Sequence, residues 1–262
     1  MENDKHISRW YQNLWAALIF FTRLPFWRLY QPPQGSYKAV VEYWPLSGWL
    51  TGGIMAGALF LGSMAFPWPV AVVIAIVVRL LVTGALHEDG LADFFDGFGG
   101  GTSRERILAI MKDSHIGTYG VIGLIVYILL LGTSLYSMMP RMAVLAVLAA
   151  DPFAKLVSCQ LITMLPYARR EEDAKNKTIY RKISVQAAIC LTLQGVLPML
   201  LMLWLTSIRW YFVLVVPCVV MYFLYRVIRR KLGGYTGDCC GAVCLLVELS
   251  IYLVISSLLF VG

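Results

Sequence analysis

The sequence predicts an all-α polytopic integral membrane protein, one bundle of about seven transmembrane helices behind an N-terminal interfacial or re-entrant helix. Three observations predict it. Of 262 residues, 59% are hydrophobic and 14% are charged, where a soluble domain carries about 25% charged residues. Mean hydropathy is +0.72. The apolar residues fall in long blocks, and the charges crowd onto alternate connections between them.

The first apolar run, 14–21, follows Lys5 and Arg9 and precedes Thr22-Arg23-Leu24-Pro25. It resembles the start of a signal peptide but has no small-residue cleavage site after it. It is also short of the roughly 20 residues a span needs. With Trp10, Tyr11, Trp15 and Trp27 around it, it suits the headgroup layer. Seven longer blocks follow, at 43–66, 70–87, 117–139, 142–165, 185–206, 210–228 and 241–261. In lipid each must satisfy its own backbone polar groups, so each is a helix. With no repeat and no low-complexity stretch, residues 1–262 read as a single membrane-embedded catalytic domain.

The net charge of +7 sets the topology. Eighteen of the 22 Lys and Arg fall on the N-terminal arm and the three long polar connections. The short connections hold only Arg141 and Arg209, and Arg79 and Lys155 lie within helices. The positive-inside rule then places the long connections in the cytoplasm and the C-terminus outside. A cationic excess so distributed is a topology signal, and it argues against nucleic-acid binding. The six cysteines form no CxxC pair, which argues against a disulfide framework or a zinc site.

The stretch from His87 to Gly97 carries the chemistry. Asp89, Asp93 and Asp96 stand at i, i+4 and i+7. If the segment is helical, the three carboxylates share one face. Like charges so close repel, and a divalent cation relieves them. Mg²⁺ prefers hard oxygen donors and commonly bridges carboxylates to substrate phosphates. These three Asp are therefore the candidate metal ligands. An exposed acidic helix end is the plain alternative. His87 could accept a proton, bind a ligand or simply sit at the interface. Arg104, Arg106, Lys112, Arg169 and Arg170 lie on the same face and suit phosphates. The turn 233–238, rich in glycine and ending on Asp238, is a second candidate site.

These residues resemble the cobalamin synthase family, the adenosylcobinamide-GDP ribazoletransferases of bacterial and archaeal membranes. His87–Gly97 is similar to the family's His-x-Asp-Gly-Leu-Ala-Asp-x-x-Asp-Gly. Phe21-Thr22-Arg23-Leu24-Pro25, the stretch from Met111 to Gly120, and the stretch from Leu232 to Asp238 resemble three further family motifs, in the family's order. Glu88 departs from it, standing where an apolar residue is common, and Lys155 stands where an Arg is expected. The resemblance implies that α-ribazole or its 5′-phosphate is joined to adenosylcobinamide-GDP with release of GMP, in the bacterial inner membrane with the site facing the cytoplasm. It implies catalytic roles for His87, Asp89, Asp93 and Asp96, and Mg²⁺ as cofactor. It makes Arg23, Arg104, Lys112, Asp113, Lys155, Arg169, Thr236 and Asp238 the candidate substrate contacts. Partners are the two substrates and the lipid bilayer, without nucleic acid; oligomeric assembly is left open.

Two other classes compete. A CDP-alcohol phosphotransferase would need an Ala-Arg pair shortly after Asp-Gly, and here Ala92 precedes Asp93. A transporter with an acidic vestibule would place charge near the midplane. Only Arg79, Asp151, Lys155 and Glu248 qualify. Asp151 and Lys155 are i and i+4 in one helix and are expected to pair towards the bundle interior. That pair either neutralises itself or sends Lys155 towards substrate.

Overall fold

The computed structural model describes residues 10–169, 180–181, 183–206 and 208–261. Lys5, Arg9, Arg170, Lys175, Lys177 and Lys182, all counted in the charge distribution, lie outside the described residues. Ten α-helices form the described chain. They are α1 (Trp10–Phe21), α2 (Trp44–Ala65), α3 (Trp68–Thr83), α4 (Leu86–Gly100), α5 (Arg104–Ile110), α6 (Thr118–Tyr136), α7 (Pro140–Met164), α8 (Val185–Leu205), α9 (Trp210–Leu232) and α10 (Gly237–Val261). Six are long and apolar enough to cross a membrane, and a seventh span results if α3 and α4 count as one broken span. The expected all-α polytopic bundle is the fold found.

Three boundaries differ in ways that matter. The second block ends as a helix at Thr83, and α4 leaves it at 91°. The acidic motif therefore lies across the bundle rather than prolonging α3. Helix α9 runs four residues further than its apolar block, through Arg229, Arg230 and Lys231, whose positive charges suit a helix C-terminus. Helix α10 begins at Gly237, so Asp238 belongs to its first turn. Helix α1, of 12 residues, is about 18 Å long, too short to span. It packs on the 3₁₀ stretch Gln34–Tyr43 and on α2.

The core is built on α7 and α10. Helix α7 packs against α2, α8 and α10, and α10 packs against α4, α6 and α9. Small residues let backbones approach, as membrane bundles require. A Cβ on Gly48 would lie 2.9 Å from Pro152 Cα, and one on Gly52 would lie 3.1 Å from Asp151 Cβ. Gly48 and Gly52, one turn apart on α2, thus form the groove that receives α7. The outer faces of α6 and α8 expose Ile122, Ile125, Leu129, Leu193, Leu197 and Trp204, as lipid contact demands.

Four of the charges inside the bundle form two closed groups, while the buried Glu88 keeps one carboxylate oxygen without a partner. Arg79 on α3 meets Glu248 on α10 in two parallel bonds of 2.7 and 2.6 Å. Tyr252 donates to the same carboxylate at 2.6 Å. On α7, Lys155 pairs with Asp151, as their spacing predicts. Thr51 of α2 closes this group, donating to Asp151 at 2.6 Å and accepting from Lys155 at 3.0 Å. Asp151 and Lys155 are each 2% exposed, which places both inside the bundle and away from lipid.

Gly48→Ala should lower the thermal midpoint of the detergent-solubilised protein by the equivalent of about 1–3 kcal/mol, since α7's backbone must give way. Gly53→Ala, with nothing within 4 Å of its Cβ, should leave that midpoint unchanged. Lys155→Met strands a buried carboxylate and should cost about 3–5 kcal/mol. Adding Asp151→Asn should recover most of that loss, read as the yield of monodisperse protein after extraction.

Candidate active site

The break between α3 and α4 positions the acidic motif. Gly84 and Ala85 both take left-handed backbone, with φ of 63° and 54°. Such a conformation is uncommon for a residue with a side chain, and for Ala85 it marks a constrained turn. At Gly84 there is also no room, because a Cβ would lie 2.3 Å from Arg23 Nε. The Arg23 amide donates to Val82 O at 2.7 Å. The Thr22–Pro25 segment thus sits on the break, and the Arg23 side chain lies against Gly84.

Helix α4 carries its three Asp along one face, as the spacing predicts, but that face runs from solvent into the core. Asp89 is exposed, Asp93 half-buried and Asp96 buried. Asp96 reaches the start of α6, where Oδ2 accepts from Gly117 N at 2.7 Å and Oδ1 from Gly120 N at 2.8 Å. A carboxylate there satisfies otherwise unpaired amides and meets the positive end of the helix dipole. It also explains both glycines. A Cβ on Gly117 would lie 2.5 Å from Asp96 Oδ1, and one on Gly120 2.4 Å from Oδ2.

On its other side α4 crosses α10 at close range. A Cβ on Gly90 would lie 3.0 Å from Asp238 Cα, and one on Gly241 3.3 Å from His87 O. The crossing brings Asp238 beside the acidic motif. Thr236, fully buried, caps α10 by accepting from Cys239 N at 3.2 Å. Gly233, at φ 64°, ends α9. Between them Tyr235 pairs with the chain leaving α7: Tyr235 N donates to Pro166 O, and Ala168 N donates to Tyr235 O. That pairing delivers Arg169, whose Nη2 lies 3.7 Å from Asp238 Oδ2. Arg169 Nε is buried without a partner.

His87, Asp89, Arg169 and Asp238 line one cleft. Its remaining wall is aromatic and apolar, including Phe20, Phe21, Trp44, Tyr167 and Tyr180. His87 belongs to a ring cluster: its ring centroid lies 5.8 Å from Trp44 and 6.2 Å from Phe21, with planes within 14° and 7°. His87 Nε2 and Trp44 Nε1 are buried and unpaired. Tyr180 is held over the cleft because Arg181 binds both Glu42 oxygens, at 2.5 and 2.6 Å.

The other expected contacts lie elsewhere. Arg104 donates to Leu232 O and Ala168 O, both at 2.8 Å, and so ties α5 to the end of α9 and to the strand-like segment. Lys112 is exposed on the rim of a second groove that it shares with Arg104 and Arg169. Asp113 is exposed, and bonds from the His115 ring and amide hold its carboxyl below the usual carboxylate range. Lys155 stays with Asp151 and Thr51 and is not part of the cleft wall. Among the described residues no three acidic, His or Cys side chains form a ready-made metal cage. The aromatic wall was not singled out from sequence, because Phe20 and Trp44 read there as ordinary apolar residues.

A family model described as cobalamin-5-phosphate synthase matches residues 13–256. The chain belongs to the cobalamin-5-phosphate synthase family. The adenosylcobinamide-GDP ribazoletransferase of Shewanella frigidimarina is 35% identical over 255 residues, covering 94% of this chain and 96% of its own. That of Leptothrix cholodnii is 37% identical over 245 residues, covering 90% and 92%. No solved structure matches the chain. Every residue lining the cleft falls within the segment matched to the cobalamin-5-phosphate synthase family.

Asp96→Asn places an amide against two backbone N–H groups that need acceptors. It should lower stability by about 2 kcal/mol, the scale of charge-assisted bonds at a helix N-terminus. Thermal unfolding in lipid nanodiscs reads this, and the same loss should appear in the absence of added divalent cation.

Proposed function

We propose that this protein is an adenosylcobinamide-GDP ribazoletransferase, joining α-ribazole or its 5′-phosphate to adenosylcobinamide-GDP and releasing GMP. The carrying observation is the cleft itself. Asp89 from one motif and Asp238 from another meet beside Arg169, under an aromatic wall. The relatives named for this activity cover nearly the whole chain. A transporter is disfavoured because the intramembrane charges Arg79, Glu248, Asp151 and Lys155 engage one another.

The reaction is an in-line displacement. A ribose hydroxyl oxygen bonds to a phosphorus of the diphosphate, the bond to the bridging oxygen breaks, and GMP leaves with that electron pair. Positioning and charge neutralisation do most of such work. Arg169 suits a phosphate of the leaving group, since its buried Nε lacks a partner and Arg binds phosphate bidentately. Burial, with the Lys155 and Arg79 charges nearby, disfavours a protonated His87, which leaves Asp89 as the wall's candidate to take the hydroxyl proton.

Mg²⁺ suits this donor set. It typically takes one or two carboxylates and completes its shell with water and phosphate, so a full protein cage is unnecessary. Asp89 and Asp93, on successive turns of the accessible face of α4, would hold it. Asp96, whose oxygens serve α6, would fix the direction of that helix. When bound, the ion would neutralise charge developing on the diphosphate. The chain's part is to hold the carboxylates of Asp89 and Asp238 at the cleft with Arg169 beside them.

The charge distribution favours an inner-membrane protein with the cleft open to the cytoplasm. Purified protein in nanodiscs should release GMP only when both substrates and Mg²⁺ are supplied. Asp89→Asn and Asp93→Asn should each lower that rate by about 100-fold or more while leaving the thermal midpoint within a few degrees. Near-normal turnover in either would remove it from the metal set. For topology, Ser114→Cys and Met139→Cys flank α6 on opposite sides. An impermeant thiol reagent should reach the first only from the cytoplasm and the second only from outside. Reversed labelling would overturn the orientation.

A further inference from the structure

The cleft wall combines two kinds of group. Asp89, Asp238 and Arg169 are ionic. Four of its rings form a continuous set: Tyr180 lies 6.4 Å from Phe20, Phe20 lies 5.0 Å from Phe21, and Phe21 lies 5.4 Å from Trp44. His87 completes the set. In that wall two polar atoms stand unpaired, Trp44 Nε1 and His87 Nε2, on residues 2% and 4% exposed. A buried indole N–H usually finds an acceptor, and leaving it without one is unfavourable. An indole N–H left unsatisfied on a ring that borders a cavity points to a ligand that supplies its acceptor.

We propose that the ring-lined wall of the cleft is the seat of the aromatic base of α-ribazole, a benzimidazole, with Trp44 Nε1 donating to its one free ring nitrogen. The inference rests on the ribazoletransferase reading and specifies which substrate lies against this wall. Two planar bases come into question, guanine and benzimidazole. Guanine presents several donors and acceptors along its edges, and a site that binds it must answer most of them or leave them unpaired. The ring-lined wall offers two ring nitrogens in a largely hydrocarbon surface. Benzimidazole has two apolar faces, an apolar edge and a single acceptor nitrogen. It matches that surface by stacking and by one hydrogen bond. With the base there, the ribose and any 5′-phosphate extend towards Arg169 and Asp238.

The test uses the full-length protein in nanodiscs, with each substrate varied in turn and α-ribazole binding measured separately without the corrinoid. Trp44→Phe keeps a ring and removes the N–H. It should raise KM and Kd for α-ribazole by about three- to tenfold, the range for one lost hydrogen bond. KM for adenosylcobinamide-GDP should stay within twofold. The indole riboside, with carbon in place of the free ring nitrogen, should bind the unaltered protein as weakly as α-ribazole binds Trp44→Phe. It should bind both proteins equally. This ligand-side comparison stands even if the variant fails to fold. A shift confined to adenosylcobinamide-GDP would place guanine here and overturn the proposal. Equal shifts for both substrates, or equal binding of α-ribazole and the indole riboside to the unaltered protein, would overturn it too. GMP release by the unaltered protein reads the transferase activity independently. If that release fails while nitrogen-dependent binding persists, the base site stands and the reaction assignment falls.

Discussion

The close crossing of α4 and α10 is the constraint on which the cleft depends. Gly90 lets α4 rest on the backbone of Asp238, and Gly241 lets α10 approach His87. Without that approach the acidic motif and the start of α10 would be separated by side chains. The crossing itself requires α4 to leave α3 nearly at right angles. That departure requires two consecutive left-handed residues with Arg23 seated over the first. A turn at the edge of the bundle, a glycine contact and a carboxylate cap on α6 thus act in series. Each fixes one end of the short helix that holds Asp89 and Asp93.

Around this assembly the membrane imposes a second rule. Backbone groups and charges that enter lipid must be satisfied within the protein. The bundle meets the rule with closed groups: Arg79 with Glu248 and Tyr252, and Lys155 with Asp151 and Thr51. Three residues lining the cleft, His87, Trp44 and Arg169, each carry a buried polar atom without a partner, as do Asn13, Ser36, Glu88 and Ser158 elsewhere among the described residues.

Much of the fold was legible because lipid leaves few options. Apolar length located every spanning block to within a few residues, and the i, i+4 spacing foretold the Asp151–Lys155 pair. What periodicity could not show was the 91° break. Hydropathy runs smoothly through Val82, Thr83 and Ala85, and Gly84 alone is a weak signal. The acidic motif was equally plain as a pattern, yet its three Asp differ in surroundings. Asp96 bonds to amides 21 and 24 residues downstream, a partnership no local spacing reveals. Arg104 and Thr236 read as polar groups on the right face, but one ties loops together and the other caps a helix. The aromatic wall was illegible for the opposite reason. In a chain this apolar, Phe20 and Trp44 carry no distinguishing mark until tertiary structure sets them in the wall with His87.

The pair between Arg79 and Glu248 also has a history within each molecule's synthesis. The two residues are 169 apart in sequence. When α3 enters the bilayer its arginine has no carboxylate to meet, and a lone Arg at the centre of a helix costs about 2.5–3.5 kcal/mol on insertion scales. The counter-charge arrives only with the final helix of the described chain. A nascent protein therefore holds Arg79 without its Glu248 partner until a further 169 residues have been made. Closure of the bundle then coincides with the arrival of α10, the same helix that delivers Asp238. Chains that stop short of α10 would lack both Glu248 and the cleft residues Gly237, Asp238, Cys240 and Gly241.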